Sequence, residues 1–328
     1  MRFIFLLLFL SVSSFSQKKI NGISLVASNN DINASVSNAI VAVNANWITL
    51  MPFAFMKTEY DTSIVFNSKY QWLGERKEGI ANTASFLKKS NFKLMLKPQI
   101  WIPNCGFTGH IKMKNEEDWK LLEKNYTNFI LFYANVAKES NFEMFCIGTE
   151  LNIFVTQRPL FWYKLIFKIK EIYKGKITYA ENWDTYDKVP FISKLDYIGV
   201  DEYFPLNNNE TPTIKALKIA WKKIAINLES LSQNHKKQIL FTEFGYQSKS
   251  FTAKEPWDFS KKYSVNFEAQ NNCLKSIFDS FWKEKWFAGG FLWKWYDNHE
   301  KAGGKNDTDY TVQNKPAENI VKLQYLKK

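Results

Sequence analysis

Three cysteines in 328 residues are too few, and too widely spaced, to form a disulfide framework. Cys105, Cys146 and Cys273 allow at most one bridge, and no two of them stand at metal-ligand spacing. Cys146 lies inside an apolar run, where a packed free thiol is expected. Arginine is equally scarce: Arg2, Arg76 and Arg158 are the only ones. That scarcity decides how the formal net charge of +12 is read. The positive charge is nearly all lysine, spread along helical stretches such as LKKSNFK and KLIFKIKEIYKGK, whereas phosphate forks and base-edge contacts favour arginine. The pattern implies solvated helix faces and no nucleic-acid partner. His110, His235 and His299 lack ligand spacing, so no metal or other cofactor is expected. The segment DNHEKAGGKNDTDYT is acidic enough for calcium but does not fit an EF-hand loop.

Long apolar runs are missing too, with one exception at the start. MRFIFLLLFLSVSSFSQ has a short basic opening, an apolar run from Phe3 to Val12, and small residues Ser14 and Ser16 around a cleavage point. That is the pattern of a secretory signal over 1–16, too short for a permanent membrane span. The mature chain, 17–328, is expected to be exported to the periplasm or beyond, without stable membrane insertion, as one monomeric domain. Apolar residues at 45% and aromatics at 17% supply enough material for a large packed core.

Within that chain, apolar strand-like runs alternate with longer helical patterns. The runs are INGISLVAS, NWITLMPFAF, FKLMLKPQIWIP, FEMFCIGTE, KITYAENW, LDYIGVDEYFP, QILFTEFGY and WFAGGFLWKW. Between them fall GIANTASFLKKS, the long NEEDWKLLEKNYTNFILFYANVAKES, RPLFWYKLIFKIKEIY, TIKALKIAWKKIAINLESLS, NFEAQNNCLKSIFDSFWKE and a last helix over NKPAENIVKLQYL. The runs are continuously apolar rather than alternating, as strands of a buried parallel sheet are. An open doubly wound sheet would want a glycine-rich turn after the first strand, and SLVASNNDIN has none. Eight such units predict a single α/β (β/α)₈ TIM barrel.

In a barrel the C-terminal strand ends form the mouth, where active sites are built. Acids at those ends are Glu150 on the fourth strand, Glu181 on the fifth, Asp201 and Glu202 on the sixth, and Glu243 on the seventh. Glu150 and Glu243 would face each other across the mouth, as two carboxyl groups flanking one glycosidic bond must. A lone strand-end glutamate is usually a salt-bridge or cap partner; two on facing strands are harder to explain that way. Trp101, Trp183, Trp257, Trp293 and Trp295 lie at or just beyond strand ends and offer flat faces to the C–H faces of sugars.

Taken in order, LMLKPQIW, CIGTELN, ITYAENW, DYIGVDEYFPL, ILFTEFGY and GGFLWKW resemble glycoside hydrolase family 113, of the retaining clan of (β/α)₈ glycosidases. The resemblance covers nearly all of the mature chain. It implies endo-β-1,4-mannanase activity on a β-linked polysaccharide or oligosaccharide, with Glu150 as acid/base and Glu243 as nucleophile. It further implies that Tyr203 hydrogen-bonds the nucleophile and that Trp293 floors the subsite of the sugar being cleaved. Asn182 and Lys97 would be polar groups for sugar hydroxyls. Two positions depart from pattern. Thr149 stands where most of the clan carries asparagine, and Gln99 stands in Lys97-Pro98-Gln99 where histidine is expected; glutamine still binds a hydroxyl but carries no charge. A retaining β-glycosidase acting on another β-glycan and a catalytically silent glycan-binding barrel are the alternatives.

Overall fold

The computed structural model describes residues 18–103 and 107–327. The expected signal segment and Cys105 lie outside them. Eight parallel strands close into a barrel: β1 (Ile20–Leu25), β2 (Trp47–Leu50), β3 (Lys93–Leu96), β4 (Met144–Thr149), β5 (Lys176–Asn182), β6 (Ile198–Glu202), β7 (Ile239–Phe244) and β8 (Phe287–Trp295). Each strand pairs with its sequence neighbours, and β8 closes the ring on β1. The chain is therefore the single (β/α)₈ barrel that the alternating runs predict.

Two of the runs are broken by proline. Pro52 and Pro98 each lack the N–H that a central strand needs, so β2 and β3 stop just before them. Both chains then resume above the rim as a small parallel pair, Phe53–Phe55 with Gln99–Trp101. This pair carries Gln99 and Trp101 over the mouth.

Helices among the described residues are α1 (Ala34–Ala42), α2 (Lys77–Lys89), α3 (Glu116–Glu139), α4 (Asn152–Gln157), α5 (Pro159–Ile172), α6 (Ile214–His235), α7 (Phe267–Phe281) and α8 (Pro316–Leu326). Capping follows ordinary rules: the Asn115 side chain accepts from the Asp118 amide, and three acids fill the first turn of α3. The eight-fold repeat has two irregularities: α4 and α5 both fall between β4 and β5, and the next crossover has no α-helix. Between β5 and β6 the chain makes two short 3₁₀ turns, Tyr186–Lys188 and Ile192–Lys194, instead of an α-helix.

The core lies in two layers. Ile20, Met95, Met144, Cys146, Leu240 and Phe291 belong to a small cluster of inward-facing strand residues. Leu94, Phe145, Ile147, Val200 and Phe241 face the other way and join the helices in a much larger cluster. This alternation sets part of the site, because a strand residue two beyond an inward one also points inward; Glu243 departs from it, since the pairing of β7 with β6 slips between Phe241 and Glu243. Cys146 and Cys273 are both buried free thiols, and burial raises the Cys146 thiol to about 11.

Candidate active site

The cavity at the C-terminal mouth of the barrel encloses about 790 Å³. Glu150 and Glu243 both line it, together with Tyr203, Asn182, Trp293, Trp101 and Trp183. Lys97, Gln99 and Trp295, also expected to touch a sugar, do not.

Glu150 directly follows β4, with its amide donating to the Ala180 carbonyl at 2.8 Å. Its backbone is left-handed, at φ 51°, a conformation that disfavours a side chain by about 1 kcal/mol or more. Burial pushes its carboxyl well above the usual range, and the charges of Asp201, Glu243 and Glu181 push it the same way; Lys97 pulls against them. Such a carboxyl keeps its proton at pH values where an exposed glutamate has lost it.

Glu243 stands near the end of β7 in a different setting. Its Oε1 accepts from Lys97 Nζ at 2.5 Å and from Gln99 Nε2 at 3.3 Å, and its Oε2 accepts from the Tyr203 hydroxyl at 2.8 Å. Three donors on two oxygens suit a carboxylate that accepts. Gly245, two residues on, lets β8 come close: a Cβ there would lie 2.3 Å from the Trp293 carbonyl oxygen. Trp293 is thereby seated beside the seventh-strand glutamate.

Lys97 is fully buried beneath the cavity, shared between Glu243 and Asp201, whose oxygens lie 3.3 and 3.4 Å from its Nζ. It is therefore a support for Glu243 and Asp201, with no surface for a sugar hydroxyl. Burial alone would lower its ammonium, but Asp201 and Glu243 together hold it above the ordinary lysine range. One cation is thus shared by two carboxyl groups. Asp201 also accepts from Thr242 Oγ1 at 2.7 Å, and burial together with Glu243 raises its carboxyl to about 7.

Gln99 likewise spends its amide on Glu243. Trp295 is completely buried and stacks on His299 with ring centroids 5.4 Å apart. The Thr149 hydroxyl is buried and has no hydrogen-bond partner among the described residues. Glu181 sits outside the cavity, receiving the Asn182 amide at 3.0 Å, Thr185 at 3.1 Å and Tyr179 at 3.3 Å. Glu202 points outward to Tyr246, at 2.9 Å. Of the five strand-end acids, Glu150 and Glu243 are the ones that reach the cavity.

Aromatic faces flank the pair. Trp183 and Trp257 stack with centroids 5.1 Å apart and planes at 19°, and Trp101 stands half exposed elsewhere on the cavity wall. The remaining wall residues escape strand-end reasoning. Lys294, Asp309 and Tyr310 line the cavity, and two of them come from the acidic segment after β8 that was weighed only as a calcium loop. Among the described residues, no group of three or more histidine, cysteine or acidic side chains is arranged to hold a metal ion, and no helix is long and apolar enough to cross a membrane.

The model of Glycoside Hydrolase Family 113 matches residues 28–315. The chain is similar in structure to the family 113 β-mannanase of Alicyclobacillus acidocaldarius, solved with ManMIm, at TM-score 0.82 and 24% identity over 95% of this chain and 99% of that one. A second family 113 β-1,4-mannanase superposes at TM-score 0.83 with 22% identity, over 95% and 100%. The β-glucuronidase of Faecalibacterium prausnitzii shares the fold more loosely, at TM-score 0.59 and 13% identity, with 94% of this chain covering 48% of that one. No curated protein matches.

Proposed function

The chain belongs to glycoside hydrolase family 113, and from that premise we propose that it is a retaining enzyme cleaving β-1,4-linked mannan-type chains by double displacement. The observation that carries this reading is the contrast between two glutamates on one cavity. Burial and like charges favour the protonated form of Glu150, while Glu243 is surrounded by donors. Two carboxyl groups in such contrasting surroundings are what an acid and a nucleophile require.

In the first step a Glu243 oxygen bonds to the anomeric carbon as the glycosidic C–O bond breaks, and the leaving oxygen takes the Glu150 proton. Esterification removes the Glu243 charge. One of the causes holding the Glu150 carboxyl high then disappears, so Glu150 becomes a better acid and is left as a base. In the second step it takes a proton from water, whose oxygen attacks the anomeric carbon and releases Glu243. Tyr203 steadies the nucleophile's charge, and Trp293 offers an apolar floor for the sugar ring. Mannan-type substrate is suggested by the two β-mannanases that superpose along the whole chain. Export through the amino-terminal segment fits a polysaccharide too large to enter a cell.

The test is incubation with mannan, glucomannan, xylan and cellulose, reading product lengths and the anomeric configuration of the first product. Glu243→Ala should abolish hydrolysis. Glu150→Ala should lose it on polysaccharide yet keep the first step on substrates whose leaving group needs no proton. Inverted product, or equal turnover by wild type and Glu243→Ala, would overturn the assignment.

A further inference from the structure

Beyond the two glutamates, the cavity wall carries an ion pair that strand-end reasoning did not single out. Lys294 directly follows Trp293, and its Nζ lies 3.3 Å from Asp309 Oδ2. Both side chains line the cavity, and each keeps part of its surface open, 21% for Lys294 and 29% for Asp309. The ammonium also lies 5.9 Å from the centre of the Trp293 ring. We propose that Lys294 and Asp309 form a neutral donor–acceptor clamp that binds two neighbouring hydroxyls of one uncharged sugar beside Trp293. The clamp deepens the hydrolase reading above and rests on it.

Counting hydrogen bonds shows what the pair has left to give. The ammonium has three N–H groups; Asp309 engages one and the Tyr296 side chain another, its ring centre 5.2 Å away. The carboxylate can accept about four hydrogen bonds. Its Oδ2 takes the Tyr296 hydroxyl at 2.6 Å as well as Lys294, and its Oδ1 takes the Tyr310 amide at 2.7 Å. One donor and one acceptor therefore remain, on two side chains that touch each other and both keep surface open on the cavity wall. A vicinal diol supplies the matching acceptor and donor. A carboxylated sugar does not, because Lys294 is already neutralised by Asp309.

The pair is also fixed in place, which a clamp needs if binding is not to cost ordering entropy. Buried Lys315 spends its three donors beneath it, on Ser248 Oγ at 2.8 Å, Asp307 Oδ1 at 2.7 Å and the Asp309 carbonyl at 2.8 Å. The Asp309 amide donates to Asp307 Oδ1 at 2.7 Å. The backbone of Asp309 is thus held at both its N–H and its C=O.

Initial rates of wild type, Lys294→Gln and Asp309→Asn on a linear β-1,4-manno-oligosaccharide test the proposal, with melting temperature followed in parallel. Each variant should raise KM about tenfold, the value of one or two hydrogen bonds to a charged group, and leave kcat within about threefold. The double variant should lose less than the sum of the two losses, since both groups hold one sugar. Wild type should also discriminate against O-acetylated chains, and the variants should lose part of that discrimination. Lys294→Arg, which keeps charge and donors, covers the case in which Lys294→Gln fails to fold: it should retain most of the affinity. Unchanged KM in folded variants, with wild type active, overturns the clamp and leaves the hydrolase reading standing. A wild type inactive on every β-glycan offered overturns that reading, and the clamp with it.

Discussion

The ammonium of Lys97 lies 2.5 Å from Oε1 of Glu243 and has no solvent-accessible surface. The same nitrogen reaches Asp201, so a single buried cation holds two carboxylates beneath the mouth of the barrel. Lys97 acts on the reaction through Glu243 rather than by touching substrate.

Removing that cation should therefore harm both folding and catalysis. Lys97→Met leaves Asp201 and Glu243 facing each other in a buried site, at a cost of about 3–5 kcal/mol. Glu243 would also lose its shortest donor, so its carboxylate would be positioned less well for attack. At neutral pH kcat should fall by about 10² or more. A destabilised variant that keeps the wild-type kcat would assign Lys97 to packing alone.

Acidity should stabilise this fold within a defined window. Burial raises the Glu181 carboxyl from 4.5 to about 7, against the hydrogen bonds of Asn182, Thr185 and Tyr179. Asp201 moves the same way, from 3.8 to about 7. Folding therefore takes up protons between roughly pH 4 and pH 7, and stability is lost as pH rises through that range. Thermal unfolding at pH 5 and pH 8 should give the higher midpoint at pH 5. Glu181→Gln should narrow the gap by about 2–4 °C. A midpoint that rises with pH would contradict both assignments.

The stacked tryptophans should matter for long substrates and not for short ones. Trp183→Ala removes one face of the Trp183–Trp257 pair, worth about 1 kcal/mol of stacking. Hydrolysis of a long chain should lose about fivefold in kcat/KM, while a short substrate that spans only the catalytic subsites is cleaved at the wild-type rate. Equal losses on both would place Trp183 in the packing of the rim.

Much of this molecule is legible in the sequence because its strands are continuous apolar runs and its acids stand at their ends. Glu150 and Glu243 follow from strand counting, and so does the closed barrel. What counting misses is which way a strand-end side chain points. Met95 faces inward, so Lys97, two residues on, points inward as well. Trp295 is a harder case. The pairing of β8 with β1 slips between Leu292 and Trp295, which reverses the parity and turns Trp295 away from the mouth. No pattern in FLWKW announces the slip. The 3₁₀ crossover between β5 and β6 is short enough to hide between two strong runs. Asp309 and Lys294 meet only after the chain has folded back across a loop.

The left-handed backbone at Glu150 bears on stability. Glycine adopts that conformation freely, so Glu150→Gly should unfold at a higher temperature than Glu150→Ala, by the equivalent of about 1 kcal/mol. At this position the inert residue suits the fold better than the reactive one.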